Sequence, residues 1–202
     1  MPPKKAAPVT VEELKQRYSP ERTQQFLLGH LSGKEYNQVS PAQMLKMAVM
    51  GFTQYEQGRY PEAQAIFEAL VFLDPTEPYY RIALGAAFLV QDELDLALTS
   101  LTAAITLKTV EVAAFVNRGE VHLRLGKIAE AAKDFKRAVE LDPQVKDPLT
   151  QRARMLAAAT LQMIQKARAA EKSGSAPGAA PPKPSTPAKA PTKTPPPAMK
   201  KK

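Results

Sequence analysis

The chain has 202 residues, no cysteine, and 28 Lys and Arg against 20 Asp and Glu, for a formal net charge of +8. Without cysteine there are no disulfides or thiolate metal sites, and no apolar run approaches the ~18 residues of a membrane helix. The charge sits at the ends: residues 173–202 hold six lysines and no acid, Lys4 and Lys5 supply the remainder, and residues 9–172 balance 20 bases with 20 acids.

Met1 to Val9, rich in Pro, Lys and Ala, reads as a disordered arm, and Met1 to Leu14 has no apolar run of the secretory type. Residues 10–40 read as an N-terminal helical region. Thr10-Val-Glu-Glu13 has the capping-box form and predicts a short helix from Val11 to Tyr18. Ser19-Pro20 reads as an N-cap followed by proline in the first turn. The segment from Glu21 to Leu31 then places Phe26, Leu27 and Leu31 on one helical stripe. Gly33 and Asn37 mark a loop, and Ser40-Pro-Ala-Gln43 is a second capping box.

Residues 44–145 repeat themselves every 34 residues, as 44–77, 78–111 and 112–145. Gly51, Gly85 and Gly119 fall into register. So do Ala63, Ala97 and Ala131, then Phe67, Leu101 and Phe135, then Leu73, Leu107 and Leu141. The pattern predicts helix pairs (A then B) at 41–57 and 61–73, 78–91 and 94–107, 112–125 and 128–141. The small residues stand where two helices cross, because a large side chain there would overpack the contact. Gly58 and Gly126 stand at the turn between helices, where positive φ is needed, with Asp92 in that place in the second copy. Pro75 and Pro143 follow the B helices and prevent their continuation.

A 34-residue period of this kind resembles the tetratricopeptide repeat. Its large aromatic early in helix A is present only as Phe115, with Met47 and Arg81 in the other copies. Asp147-Pro148 opens a capping helix within residues 147–172, apolar at Leu149, Ala153, Leu156, Met163 and Ile164. Residues 173–202, with nine prolines and six lysines, read as a disordered, partly polyproline II tail. The expected fold is all-α: three tetratricopeptide repeats in a right-handed superhelical array, flanked by N-terminal helices and a C-terminal capping helix.

Catalysis finds no support in these residues. His30 and His122 lie in different elements, in neither a triad nor a metal spacing, and no glycine-rich phosphate loop is present. Asp92-Glu-Leu-Asp95 clusters acids at a helix start, where the helix dipole accommodates them. No cofactor and no metal is expected. What remains is a surface made by one stripe of each A helix, at positions 2, 5, 9, 12 and 13 of each repeat. The stripe is Leu45, Ala48, Phe52, Tyr55 and Glu56, then Tyr79, Ile82, Ala86, Leu89 and Val90, then Ala113, Val116, Glu120, Leu123 and Arg124, a mostly apolar candidate groove with charge only towards its rim and third repeat. An apolar wall of that size, where the N-terminal helices leave it open, suits an extended apolar segment of another protein. Nucleic acid is not expected as a partner except through the basic tail, which lacks the aromatics for base stacking.

Residues 21–145 resemble the class II chaperones of bacterial type III secretion, of the low-calcium-response protein H type. The likeness rests on Gly51-Phe-Thr-Gln-Tyr-Glu-Gln-Gly-Arg-Tyr60 leading into Phe67-Glu-Ala-Leu-Val-Phe-Leu-Asp74, on Leu84-Gly-Ala-Ala87 with Leu94-Asp-Leu-Ala-Leu98, and on Gly126-Lys-Ile-Ala-Glu-Ala131. The resemblance implies a bacterial cytoplasmic chaperone that holds a translocator protein before export. It also implies a homodimer formed through the N-terminal helices, which places Phe26, Leu27 and Leu31 at the contact, and a groove for a short Pro-x-Leu-x-x-Pro-like motif. The long Pro/Lys tail departs from that family. A second reading therefore stands beside the first: a general tetratricopeptide scaffold whose basic tail meets an acidic or nucleic-acid partner.

Overall fold

The computed structural model describes residues 10–107 and 110–173. Ten α-helices and no strand occur among them: α1 (Val11–Arg17), α2 (Pro20–Leu27), α3 (Gly33–Tyr36), α4 (Pro41–Glu56), α5 (Tyr60–Leu73), α6 (Pro78–Val90), α7 (Leu94–Thr106), α8 (Val112–Arg124), α9 (Ile128–Leu141) and α10 (Pro148–Ser173). The expected arm at 1–9 and nearly all of the expected tail lie outside the described residues.

Helix ends follow the capping chemistry. Thr10 and Ser40 each close a capping box, with Glu13 and Gln43 reaching back to the cap amide. Ser19 accepts from the Arg22 amide, with Pro20 in the first turn. Between paired helices the chain turns through left-handed residues at Gly58 (φ 76°) and Gly126 (φ 72°). Asp92 takes the same conformation at φ 63°, a geometry that Asp tolerates better than most residues with a side chain.

The pairs α4–α5, α6–α7 and α8–α9 stack in chain order, and α10 packs along α9 and touches α8. Each pair closes on a glycine. A Cβ at Gly51 would lie 2.9 Å from Phe67 Cε1, one at Gly85 2.6 Å from Leu101 Cγ, and one at Gly119 2.5 Å from Phe135 Cε1. Phe67, Leu101 and Phe135, with Ala63, Ala97 and Ala131, are fully buried beneath these crossings. Asp142 then turns the chain into α10: its Oδ2 accepts from the Asp147 amide and the Thr150 hydroxyl, both at 2.8 Å.

The N-terminal region departs from expectation in two places. The helix expected over Glu21 to Leu31 stops at Leu27, because Gly29 adopts φ 76° and turns the chain. Leu31 therefore leaves the stripe of Phe26 and Leu27. The loop expected at Gly33 is instead the short helix α3, seated so closely on α5 that a Cβ at Gly33 would lie 2.6 Å from the Phe72 carbonyl oxygen. Phe26 stacks on Tyr36 at 4.6 Å and meets Phe72 edge-on at 6.0 Å. Arg22 ties α2 to α3 by donating to the Glu35 carbonyl at 2.8 Å, and Lys34 pairs with Asp74 at the end of α5. Burial raises the Asp74 pKa, but hydrogen bonds from Lys34 and Thr76 and the Lys34 charge outweigh it and hold the carboxyl below its ordinary range.

The glycine contacts give a test of sign. Alanine in place of a mid-helix glycine gains about 1 kcal/mol of helix propensity, so an unobstructed site would be stabilised. Gly119→Ala should instead lose a net ~1–3 kcal/mol, because the methyl meets the Phe135 ring with no room to move. Urea denaturation measures it, and a gain in stability would contradict the packing described.

Candidate functional site

The wall is built from α4, α6 and α8, which lie side by side. The structure brings the sequence-predicted stripe into these three helices but exposes it unevenly. Leu45 is exposed, and Phe52, Tyr79 and Leu123 are half-buried, as is Val90 at the rim. Ala48, Tyr55, Ile82, Ala86, Leu89, Val116 and Glu120 are buried. The accessible apolar wall is thus narrower than the stripe, because α6 packs against both α4 and α8 and much of the stripe is buried at these seams. The N-terminal helices are not what covers it, since α3 docks on α5.

The third repeat makes the wall polar. Glu120, 1% exposed, is gripped by Arg152 of α10, with Nε to Oε1 at 2.7 Å and Nη2 to Oε2 at 2.9 Å. Burial raises the Glu120 pKa, and the Arg152 and Arg124 charges and the Arg152 hydrogen bond only partly offset that. Arg124 Nη1 donates to the Leu89 carbonyl at 2.7 Å, at the end of α6, and lies 3.2 Å from Asp92 Oδ1. Burial likewise pushes the Tyr55 hydroxyl above its ordinary range.

Sequence reasoning missed the ion pairs, although the repeat register carries a signal for them. Arg118 stands where the other repeats have Met50 and Leu84, and Asp134 where they have Ile66 and Ser100. Two opposite charges replacing uncharged residues in one repeat face each other in space. Arg118 Nε and Nη2 donate to Asp134 at 2.9 and 2.7 Å. His122 Nε2 lies 3.6 Å from the same carboxylate. With Leu98, Thr102, Glu130 and Lys133 these line a cleft of about 370 Å³ on the side where α7, α8 and α9 meet. Among the described residues no group of three or more His, Cys, Asp and Glu could hold a metal ion, and no helix is long and apolar enough to cross a membrane.

Comparison with known proteins agrees with this architecture. Residues 51–111 and 112–145 match family models described as tetratricopeptide repeat. Low calcium response locus protein H of Yersinia pseudotuberculosis is 29% identical over 139 residues, which are 67% of this chain and 83% of that protein. A type III secretion complex from Aeromonas hydrophila superposes with a TM-score of 0.64 at 26% identity, covering 72% of this chain and 98% of that one. PcrH, solved in complex with the chaperone binding region of PopD, gives a TM-score of 0.57 at 28% identity, covering 61% of this chain and 95% of that one. PcrH is from Pseudomonas aeruginosa.

The His122 environment makes a pH prediction. Burial lowers its pKa below 6.5, more than nearby Asp134 raises it, so the folded state favours neutral imidazole. Its contribution to stability is therefore present above the unfolded pKa and is lost as pH falls through the folded one. Between pH ~7.5 and ~5.5 the urea midpoint of the parent should fall further than that of His122→Leu, which has no imidazole to protonate. Parallel curves would mean that His122 titrates normally.

Proposed function

The chain is a tetratricopeptide-repeat protein related to the type III secretion translocator chaperones, and from that premise we propose that its A-helix wall holds an extended apolar segment of a translocator-like client before export. The observation that carries this reading is the partly open apolar face of Leu45, Phe52, Tyr79 and Leu123, which the N-terminal helices leave free by docking on α5. Side chains of this size, covered by a partner, each contribute about 1.5–3 kcal/mol. Three anchors at the upper figure supply about 9 kcal/mol, which association costs of at least ~4 kcal/mol reduce to about 5 kcal/mol, a sub-millimolar affinity, so tighter binding draws on further contacts along the client. Related chains bind the same class of partner: PcrH was solved with a region of PopD and SycD with a peptide of YopD. The work is shielding rather than catalysis, and its place is the bacterial cytoplasm, where a secretion client waits.

Self-association belongs to the same proposal. Leu27 and Leu28 are 77% and 62% exposed, and Phe72, against which Phe26 packs, is 58% exposed. This apolar surface lies on α2 and α5, off the groove wall, so a second copy can cover it without blocking the client. Leu31, half-buried beyond the end of α2, is a minor part of it. Leu27→Asp should shift sedimentation toward the monomer while leaving helicity unchanged. An unaltered assembly would remove Leu27 from the contact.

Burial divides the groove variants. Tyr79 is half-buried, so Tyr79→Glu should fold and bind client peptide about tenfold or more weakly, a loss of ~1.4 kcal/mol or greater. Leu89 is fully buried, so Leu89→Glu should melt well below the parent. Binding by Tyr79→Glu equal to the parent, with circular dichroism confirming the fold, would move the site off this wall. Apolar binding should also persist at high salt, whereas attachment through the lysine tail would weaken steeply.

A further inference from the structure

The proposed groove is apolar in its first two repeats and charged in its third, and the charged end has a definite hydrogen-bonding polarity. Glu120 cannot serve a ligand, because its two oxygens are both held by Arg152 and the residue is buried. The Leu89 carbonyl, the nearest main-chain acceptor at the end of α6, is likewise taken by Arg124. Arg124 itself is different. Its side chain is 16% exposed, its Nη1 is used, and its Nε and Nη2 make no hydrogen bond to the described residues.

The contact with Asp92 does not neutralise this guanidinium fully, since that carboxylate is 62% exposed and screened by water. Arg124 is four residues from Glu120 on the same face of α8, and its charge acts on both Glu120 and the Tyr55 hydroxyl of the first repeat. Its place is fixed by geometry: one turn on from Glu120, with Nη1 against the Leu89 carbonyl at the end of α6. A half-buried guanidinium held in place by one nitrogen, with two adjacent donors unspent, is a preformed fork for a carboxylate.

We infer that the third-repeat end of the groove selects a client segment bearing an Asp or Glu beside its apolar anchors, bound through Nε and Nη2 of Arg124. The inference rests on the groove reading above and adds a sign to it. The chain's own C-terminal stretch, with six lysines and no acid in residues 173–202, carries the wrong charge for this end. The occupant is thus a segment of another protein.

The test uses the full-length chain and a set of fluorescein-labelled peptides of Pro, Leu, Ala and Ser, in which a single Asp, or Asn in its place, is walked along the sequence. At low salt, in one register, the Asp peptide should bind about fivefold more tightly than its Asn twin, and the ratio should fall toward unity at high salt. Arg124→Gln should abolish the preference, so that Asp and Asn peptides bind the variant alike. Arg124→Lys, which keeps the charge and loses the fork, should retain part of it. The salt dependence of the parent needs no variant, so an Arg124→Gln that fails to fold does not spare the inference. Equal binding of Asp and Asn peptides in every register, or a preference that survives Arg124→Gln, would overturn it. If the Asn peptides bind and Tyr79→Glu weakens them, the groove stands and only the selection of acid falls. If no peptide binds, both fall together.

Discussion

The structure depends on one contact made three times, the crossing of helix A over helix B at a glycine. Gly51, Gly85 and Gly119 bring the A-helix backbone down onto Phe67, Leu101 and Phe135, at separations where even a methyl group would intrude. That closeness lets a 34-residue unit bury a large side chain completely, although two helices alone enclose little volume. It also fixes the direction in which each A helix presents its opposite face. The three A-helix faces then line up as one wall because the same crossing recurs at the same register. The course of the wall across the three repeats follows from that alignment.

The array is not uniform along its length, and the third repeat differs in kind. It replaces uncharged residues with Arg118 and Asp134, and it places Glu120 where the other repeats have Phe52 and Ala86. Buried ion pairs of this sort gain little net stability over well-packed apolar residues, since desolvation offsets attraction. The same helix carries Asn117, 1% exposed, with neither amide atom hydrogen-bonded among the described residues. Such costs gathered on one helix contrast with the apolar first and second repeats. They give the wall a charged end and an apolar end, an asymmetry that the proposed client segment would meet along its length.

The N-terminal segment resolves a competition that bears directly on function. An apolar segment ahead of a repeat array can fold into the concave face or onto the outside. Here Phe26 takes Tyr36 and Phe72 as ring partners, Lys34 takes Asp74, and Gly33 seats its backbone against Phe72. Tyr36 belongs to α3 itself, and the other anchors lie on α5 or at its end. The α3 segment docks on α5, and the apolar surface left exposed at Leu27, Leu28 and Phe72 lies at the end of α2 and on α5, not on the A helices of the wall.

The sequence alone determined the repeats, their helix pairs, the turns at Gly58, Asp92 and Gly126, and the capping boxes at Thr10 and Ser40, because each rests on interactions within a few residues or on a strict period. The stripe of wall positions was legible for the same reason. Its exposure was not. Whether Ile82, Ala86, Leu89 and Val116 face a ligand or a neighbouring helix depends on how closely α4, α6 and α8 approach, and that distance is set by the volume packed between pairs. Tertiary structure alone likewise decided that Arg152, 32 residues from Glu120, would occupy its carboxylate, and that Arg124 would be held at the end of α6 with donors to spare. A charge in a sequence has a sign at once, but it acquires a partner only when the chain has folded around it.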